Sequence, residues 1–161
     1  MIENYDLEEI KAMMEAAAKS MAGCPVRVYF RAPLRKGYKG EAFKDEDGTS
    51  AMELLPEDIE QLYKVFLHES AHLIFGHTKD LEPRDIPTEI VAEQEKGIQF
   101  LPALTDEESA EYENSPQEIE ARGFADYFYE FSKRKAQFFY GEDNVKACLR
   151  LCANTKIQKG E

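Results

Sequence analysis

The chain has no tryptophan, only three cysteines and only three histidines among its 161 residues. Three cysteines, Cys24, Cys148 and Cys152, are too few and too odd in number for a disulfide framework. Cys148 and Cys152 stand four apart, so they share a helix face and read as small buried hydrophobes. No apolar run approaches the length of a membrane span. The first residues, Met1 to Asp6, lack the basic-then-apolar pattern of a secretory signal, so a cytoplasmic location is expected. Positive charge is also scarce. Twenty Lys and Arg stand against 32 Asp and Glu, giving a formal net charge of -12. A chain this acidic is repelled by a phosphate backbone, so direct nucleic-acid binding is disfavoured. A hydrophobic fraction of 43%, with 10 Phe and 8 Tyr, is ample for one core, and the length suits one domain.

Periodicity organises the rest. Residues 6–22 predict a helix, capped by Asp6, striped by Ile10, Met13, Met14 and Ala17, and stopped at Gly23. Val26–Phe30 predicts a strand. Asp47-Gly48 marks a hairpin between flanks 41–44 and 49–55, so a small sheet of about three strands is expected. Pro56 opens a second helix, predicted over 57–76, with Ile59, Leu62, Tyr63, Phe66, Leu67, Leu73 and Ile74 at helical spacing. Residues 78–114, with Pro83, Pro87 and Pro102, are too long for a simple connection and read as a variable insert or flap, partly helical or not. Ser115-Pro116-Gln117-Glu118 combines an N-cap, a first-turn proline and a capping-box glutamate, and starts a helix running to about Lys135. A last helix is predicted near 142–153, and 156–161 reads as a flexible tail. The expected fold class is α+β, one domain over 1–155.

The chemistry concentrates in His68-Glu69-Ser70-Ala71-His72, an H-E-x-x-H motif on the second predicted helix. Residues four apart on a helix point the same way, so both imidazoles can reach one tetrahedral Zn2+. Glu69 is offset around the helix and can serve as the base for water at the metal. A third protein ligand is needed, with one position left open. His77 falls one residue short of the spacing used by zincins with a third histidine, and reads as a helix-terminal residue. Glu120, on the same side of the Ser115 helix as Phe124 and Tyr127, is the expected third ligand, and Glu118 its main rival. Tyr112, Tyr127 and Tyr129 are the right residue type to stabilise an oxyanion, but spacing places none of them.

The pairing of His68–His77 with Glu118-Ile119-Glu120-Ala121-Arg122-Gly123-Phe124-Ala125 resembles the ImmA/IrrE family of zinc metallopeptidases. The resemblance covers roughly residues 25–131 and implies a zincin-like fold. It implies His68, His72 and Glu120 as zinc ligands and Glu69 as catalytic base. It also implies a zinc-dependent endopeptidase of bacterial or mobile-element origin, acting on a specific protein, with helix-turn-helix repressors among the candidates. Ser70-Ala71 departs from the family's commoner leucine-glycine filler, and no helix-turn-helix is evident in this chain. The alternative is a zincin-like binding module without turnover, its cleft plugged by 78–114.

Overall fold

Local sequence signals start and stop the first helix. The Asp6 carboxylate accepts from the backbone N–H groups of Glu8 and Glu9, and α1 runs over Leu7–Ala22. Gly23 ends it at φ 78°, a left-handed conformation that costs glycine little. A computed structural model describes residues 2–157, so most of the expected tail, 158–161, lies outside the described residues.

Three strands follow: β1 (Val26–Phe30), β2 (Gly40–Lys44) and β3 (Ser50–Leu54). The hairpin turns where Asp47-Gly48 predicted it. Asp45 N–H donates to the Thr49 carbonyl, and Arg27 bridges Asp45 and Asp47. The sheet order is β1-β3-β2, with β3 parallel to β1 and antiparallel to β2. Four further helices complete the site and its support: α2 (Ile59–Ile74), α3 (Thr88–Glu95), α4 (Asp106–Glu113) and α5 (Pro116–Tyr140). A last helix, α6 (Val145–Ala153), closes the core. The fold is α+β, a single domain with a small mixed sheet. Among the described residues, no helix is long and apolar enough to cross a membrane.

One core serves every element. Met52 and Leu54 of β3 and Val28 of β1 face it from the sheet, and α1 adds Ile10, Met14 and Met21. The central helix α2 contributes Leu62, Tyr63, Phe66, Leu67 and Ile74, while α6 adds Leu149 and Cys152. All three cysteines are free, and Cys148 and Cys152 are buried as small hydrophobes. The buried Tyr63 hydroxyl sits 2.7 Å from Ser132 Oγ, tying α2 to α5.

One departure from the sequence expectations concerns length. The Ser115 helix continues to Tyr140, one turn beyond the expected stop, until Gly141 ends it at φ 72°. The 78–114 stretch contains α3 and α4, and its remaining residues are held by polar side chains. Glu53, fully buried on the outer face of β3, receives Arg31 Nε at 2.9 Å, Gln94 Nε2 at 3.0 Å and the Arg84 guanidinium. Gln99 Nε2 donates to the carbonyls of Pro33, Arg35 and Tyr38. These bonds lay the stretch over the sheet's outer face and along the strand-to-strand connection.

This network makes a stability prediction. Glu53→Gln leaves two guanidinium groups against a buried neutral amide. Losing one partner of a buried ion pair costs about 3–5 kcal/mol. Guanidinium unfolding should show that loss as a lower midpoint. A change below about 1 kcal/mol would mean the network is not what anchors 82–99.

Candidate metal centre

Helix α2 carries the motif through the middle of the molecule. Asp58 caps it, accepting from the N–H groups of Glu60 and Gln61. His68 and His72 lie one turn apart, with ring centroids 5.1 Å apart. The Glu118 carboxylate comes between them. Its Oε1 is 3.0 Å from His68 Nε2, and its Oε2 is 2.7 Å from His72 Nε2. One donor atom from each of the three residues lies within 4.8 Å of the other two, a group able to hold a metal ion. Two imidazole nitrogens and one carboxylate oxygen match the ligand chemistry of a catalytic zinc site with an open position.

The structure thus puts Glu118, not Glu120, in the group with the two histidines. The reason lies in the phase of α5. Its buried face is Glu118, Ala121, Ala125, Phe128, Ser132 and Ala136, a repeat of three and four. Glu120 is two residues from Glu118, about 200° around the helix, and its side chain is 50% exposed against 9% for Glu118. Tyr127, which with Phe124 suggested the other face, is exposed as well. The Ser115 hydroxyl still caps the helix, accepting from the Glu118 N–H at 3.3 Å, so the cap uses the Glu118 backbone and leaves its carboxylate free.

Glu69 is buried one position along. Burial pushes its carboxyl up to about 7, although the nearby His68 and His72 pull it down. For Glu118 burial also works upward, but the hydrogen bonds from His68 and His72 outweigh it and hold the carboxyl far below the usual range. For His68 burial works downward, and the Glu118 carboxylate reverses the shift, so its imidazole is raised. Two glutamates in one site are thereby driven apart, one toward proton exchange near neutrality and one toward permanent charge.

Gly40 brings β2 against this part of α2. A Cβ there would lie 2.5 Å from Val65 Cγ1, 3.1 Å from Glu69 Cγ and 3.2 Å from Leu54 Cδ2. Beside the motif opens a cavity of about 590 Å3, lined among others by Tyr38, Gly40, His68, Glu69, Tyr112 and Arg122. Tyr38 and Tyr112 stack at a centroid distance of 5.6 Å, joining the β1–β2 connection to α4. Burial raises the Tyr112 phenol first, and the charges of Glu118 and Glu69 raise it further. Tyr129 also lines the cavity, but its hydroxyl donates to Glu60 at 2.7 Å, and Tyr127 is 64% exposed. Sequence reasoning missed Gly40 and Tyr38. Gly40 opens a strand, and a glycine in a strand marks close backbone approach; Tyr38 has no comparable signal.

His77 also joins the group. Its Nδ1 is 2.9 Å from His72 Nδ1, and its Nε2 is 2.6 Å from Glu120 Oε1. The residues His68, His72, Glu69, Glu118, His77 and Glu120 therefore form one polar cluster, although Glu120 stands at its outer edge.

Comparison of the chain with protein-family models, with curated proteins and with solved structures finds no match.

The close approach at Gly40 is testable. Gly40→Ala should cost about 1–3 kcal/mol, as overpacking does, because β-branched Val65 has little rotamer freedom to yield. Combining it with Val65→Ala should recover part of that loss in thermal or denaturant unfolding. If Gly40→Ala alone is neutral, β2 and α2 are not held at this distance.

Proposed function

We propose that the chain is a zinc-dependent endopeptidase whose ligands are His68, His72 and Glu118 and whose general base is Glu69. The observation that carries this reading is the convergence of His68, His72 and Glu118 with a fourth, buried acid, Glu69, left over beside them. A purely structural metal site is usually closed by four protein ligands and has no use for a base. Zinc, when bound, supplies a Lewis acid that polarises a carbonyl and makes water acidic near neutral pH.

The chain's own residues do the remainder. Glu69 takes a proton from the attacking water at a carboxylate oxygen and returns it to the departing amine nitrogen. Glu118 would hold the metal as a carboxylate beside His68 and His72, so it does not compete for that proton. The cavity beside the motif, walled by Tyr38, Gly40 and Tyr112 among others, reaches both His68 and Glu69.

The pairing of motif helices resembles the ImmA/IrrE family and points the same way. On that resemblance, the substrate is a specific protein, with a helix-turn-helix repressor as the first to test, and the setting is the bacterial cytoplasm. The competing reading, a silent module plugged by 78–114, is disfavoured. That stretch lies across the sheet's outer face and contributes Tyr112 to the rim of a cavity that still reaches His68 and Glu69.

The test is incubation of the zinc-loaded protein with helix-turn-helix repressors from its own genome and with a mixed peptide library. Wild type should cleave, and Glu69→Gln should retain zinc while losing about 10²–10⁴-fold in rate. Undiminished cleavage by Glu69→Gln would remove Glu69 from the mechanism. Cleavage by neither protein, with zinc bound to both, would favour the binding module.

A further inference from the structure

We infer that His77 and Glu120 form a positioning chain that fixes the tautomer and orientation of His72 from behind. The inference rests on the metal reading above and adds to it two residues that touch no ligand position.

The three contacts run in series. Glu118 Oε2 lies 2.7 Å from His72 Nε2, His72 Nδ1 lies 2.9 Å from His77 Nδ1, and His77 Nε2 lies 2.6 Å from Glu120 Oε1. Two facing Nδ1 atoms can form one hydrogen bond only if one carries a proton and the other does not. With both rings neutral the two end carboxylates compete, Glu118 for a proton on His72 Nε2 and Glu120 for one on His77 Nε2, and only one can be served; a metal taking the His72 Nε2 lone pair decides for Glu120. Glu120 accepts, so His77 must present Nε2–H to it, and His77 Nδ1 is then the acceptor. His72 must therefore donate from Nδ1–H, and its Nε2 lone pair is directed at the space shared with His68 and Glu118. That is the tautomer a metal requires. If instead His77 donated from Nδ1, His72 would carry its proton on Nε2 and close the position toward Glu118. A neutral His77 would also turn a bare lone pair on Glu120.

The backbone builds this arrangement. After α2 the chain passes Gly76 at φ 73°. His77 N–H then donates to the His72 carbonyl at 2.9 Å, and Gly76 N–H to the Leu73 carbonyl at 3.2 Å. This pair of bonds is a Schellman ending, and it returns His77 beneath His72 instead of carrying it onward along the helix. The same turn explains why the spacing His72–His77 fits neither a ligand series nor a solvent-facing helix end. Phe75 covers the His77 ring, at a centroid distance of 6.1 Å, and the imidazole of His77 is only 9% exposed. Glu120 reaches the pair from the first turn of α5, on the side away from the ligand-bearing Glu118. One helix turn thus supplies two carboxylates at the two ends of the chain.

The experiment is zinc affinity of the full chain, measured by competition with a chromophoric chelator. It is paired with nitrogen-15 spectra of the histidine rings in the zinc-loaded protein. Orienting partners of this kind are worth about 10- to 100-fold in metal affinity. His77→Phe should weaken zinc binding by about that factor. His77→Asn, whose side-chain oxygen can accept from His72 Nδ1–H, should recover most of it. Glu120→Ala should weaken binding less than His77→Phe, and Glu120→Gln, which keeps an acceptor, should stay near wild type. Glu120 is half exposed, so its variants test the chain without threatening the fold. The wild-type spectra should show His72 protonated at Nδ1 and His77 at Nε2. Equal affinity of His77→Phe and wild type would overturn the inference and leave the metal reading standing. Failure of His77→Asn to recover, or a His77 proton on Nδ1, would also overturn it. Loss of zinc from Glu120→Ala as complete as from Glu118→Ala would make Glu120 a ligand and not a positioning residue. No zinc uptake by wild type would overturn both readings together.

Discussion

A charged carboxylate held against two imidazoles at the meeting of α2 and α5 is the constraint on which the site depends. Bringing Glu118 out of water is unfavourable unless positive charge or strong donors meet it. His68 and His72 do so at 3.0 and 2.7 Å. To let them reach, the two helices must run close together. The buried face of α5 is built accordingly, from Ala121, Ala125, Ser132 and Ala136 with a single large residue, Phe128. Deeper along the same interface, the Tyr63–Ser132 bond fixes the register. The polar contacts thus sit at one end of a seam whose apolar and small residues decide how near the helices come.

That seam also explains what was legible in the sequence and what was not. The helices, the hairpin and the H-E-x-x-H motif carry local signals: a capping aspartate, a proline in the first turn, Asp-Gly between alternating flanks. Each was readable because the cause lies within a few residues. The phase of α5 was not. Large aromatic residues dominate a hydropathy pattern, and Phe124 and Tyr127 pointed to one face. The face actually buried is marked by alanines, which contribute little hydropathy but permit close approach. Reading the repeat of small residues, Ala121, Ala125, Ser132 and Ala136, would have selected Glu118. The contact of His77 with His72 was hidden for a related reason. It depends on a left-handed glycine reversing the chain, and a ligand-spacing rule assumes that the helix continues.

The 78–114 stretch defeated periodicity altogether. Its attachment to the sheet comes from Arg84, Gln94 and Gln99, each of which satisfies buried or main-chain acceptors on a neighbouring segment. Polar anchors leave no apolar repeat to detect, and α4 has no buried residue at all. Stability there comes from satisfied hydrogen bonds and a buried charge network. Removing a partner of Glu53 would leave another group unpaired in a low dielectric, which is costly, and the buried Gln94 Oε1 is already without a hydrogen-bond partner.

The placement of that stretch bears on the cleft itself. Tyr112 comes from α4, whose apolar contact is small, and it reaches the site by stacking on Tyr38. The opposite wall is α2, locked between the core and β2, with Gly40 pressed against Val65. One wall is therefore set by packing, and the other is held by the Tyr38–Tyr112 stack and by Arg122, whose Nη2 donates to the Glu113 carbonyl at 2.8 Å. The two walls are built on different principles: small residues and glycine where helix and strand must approach closely, polar and aromatic anchors where little apolar surface is buried.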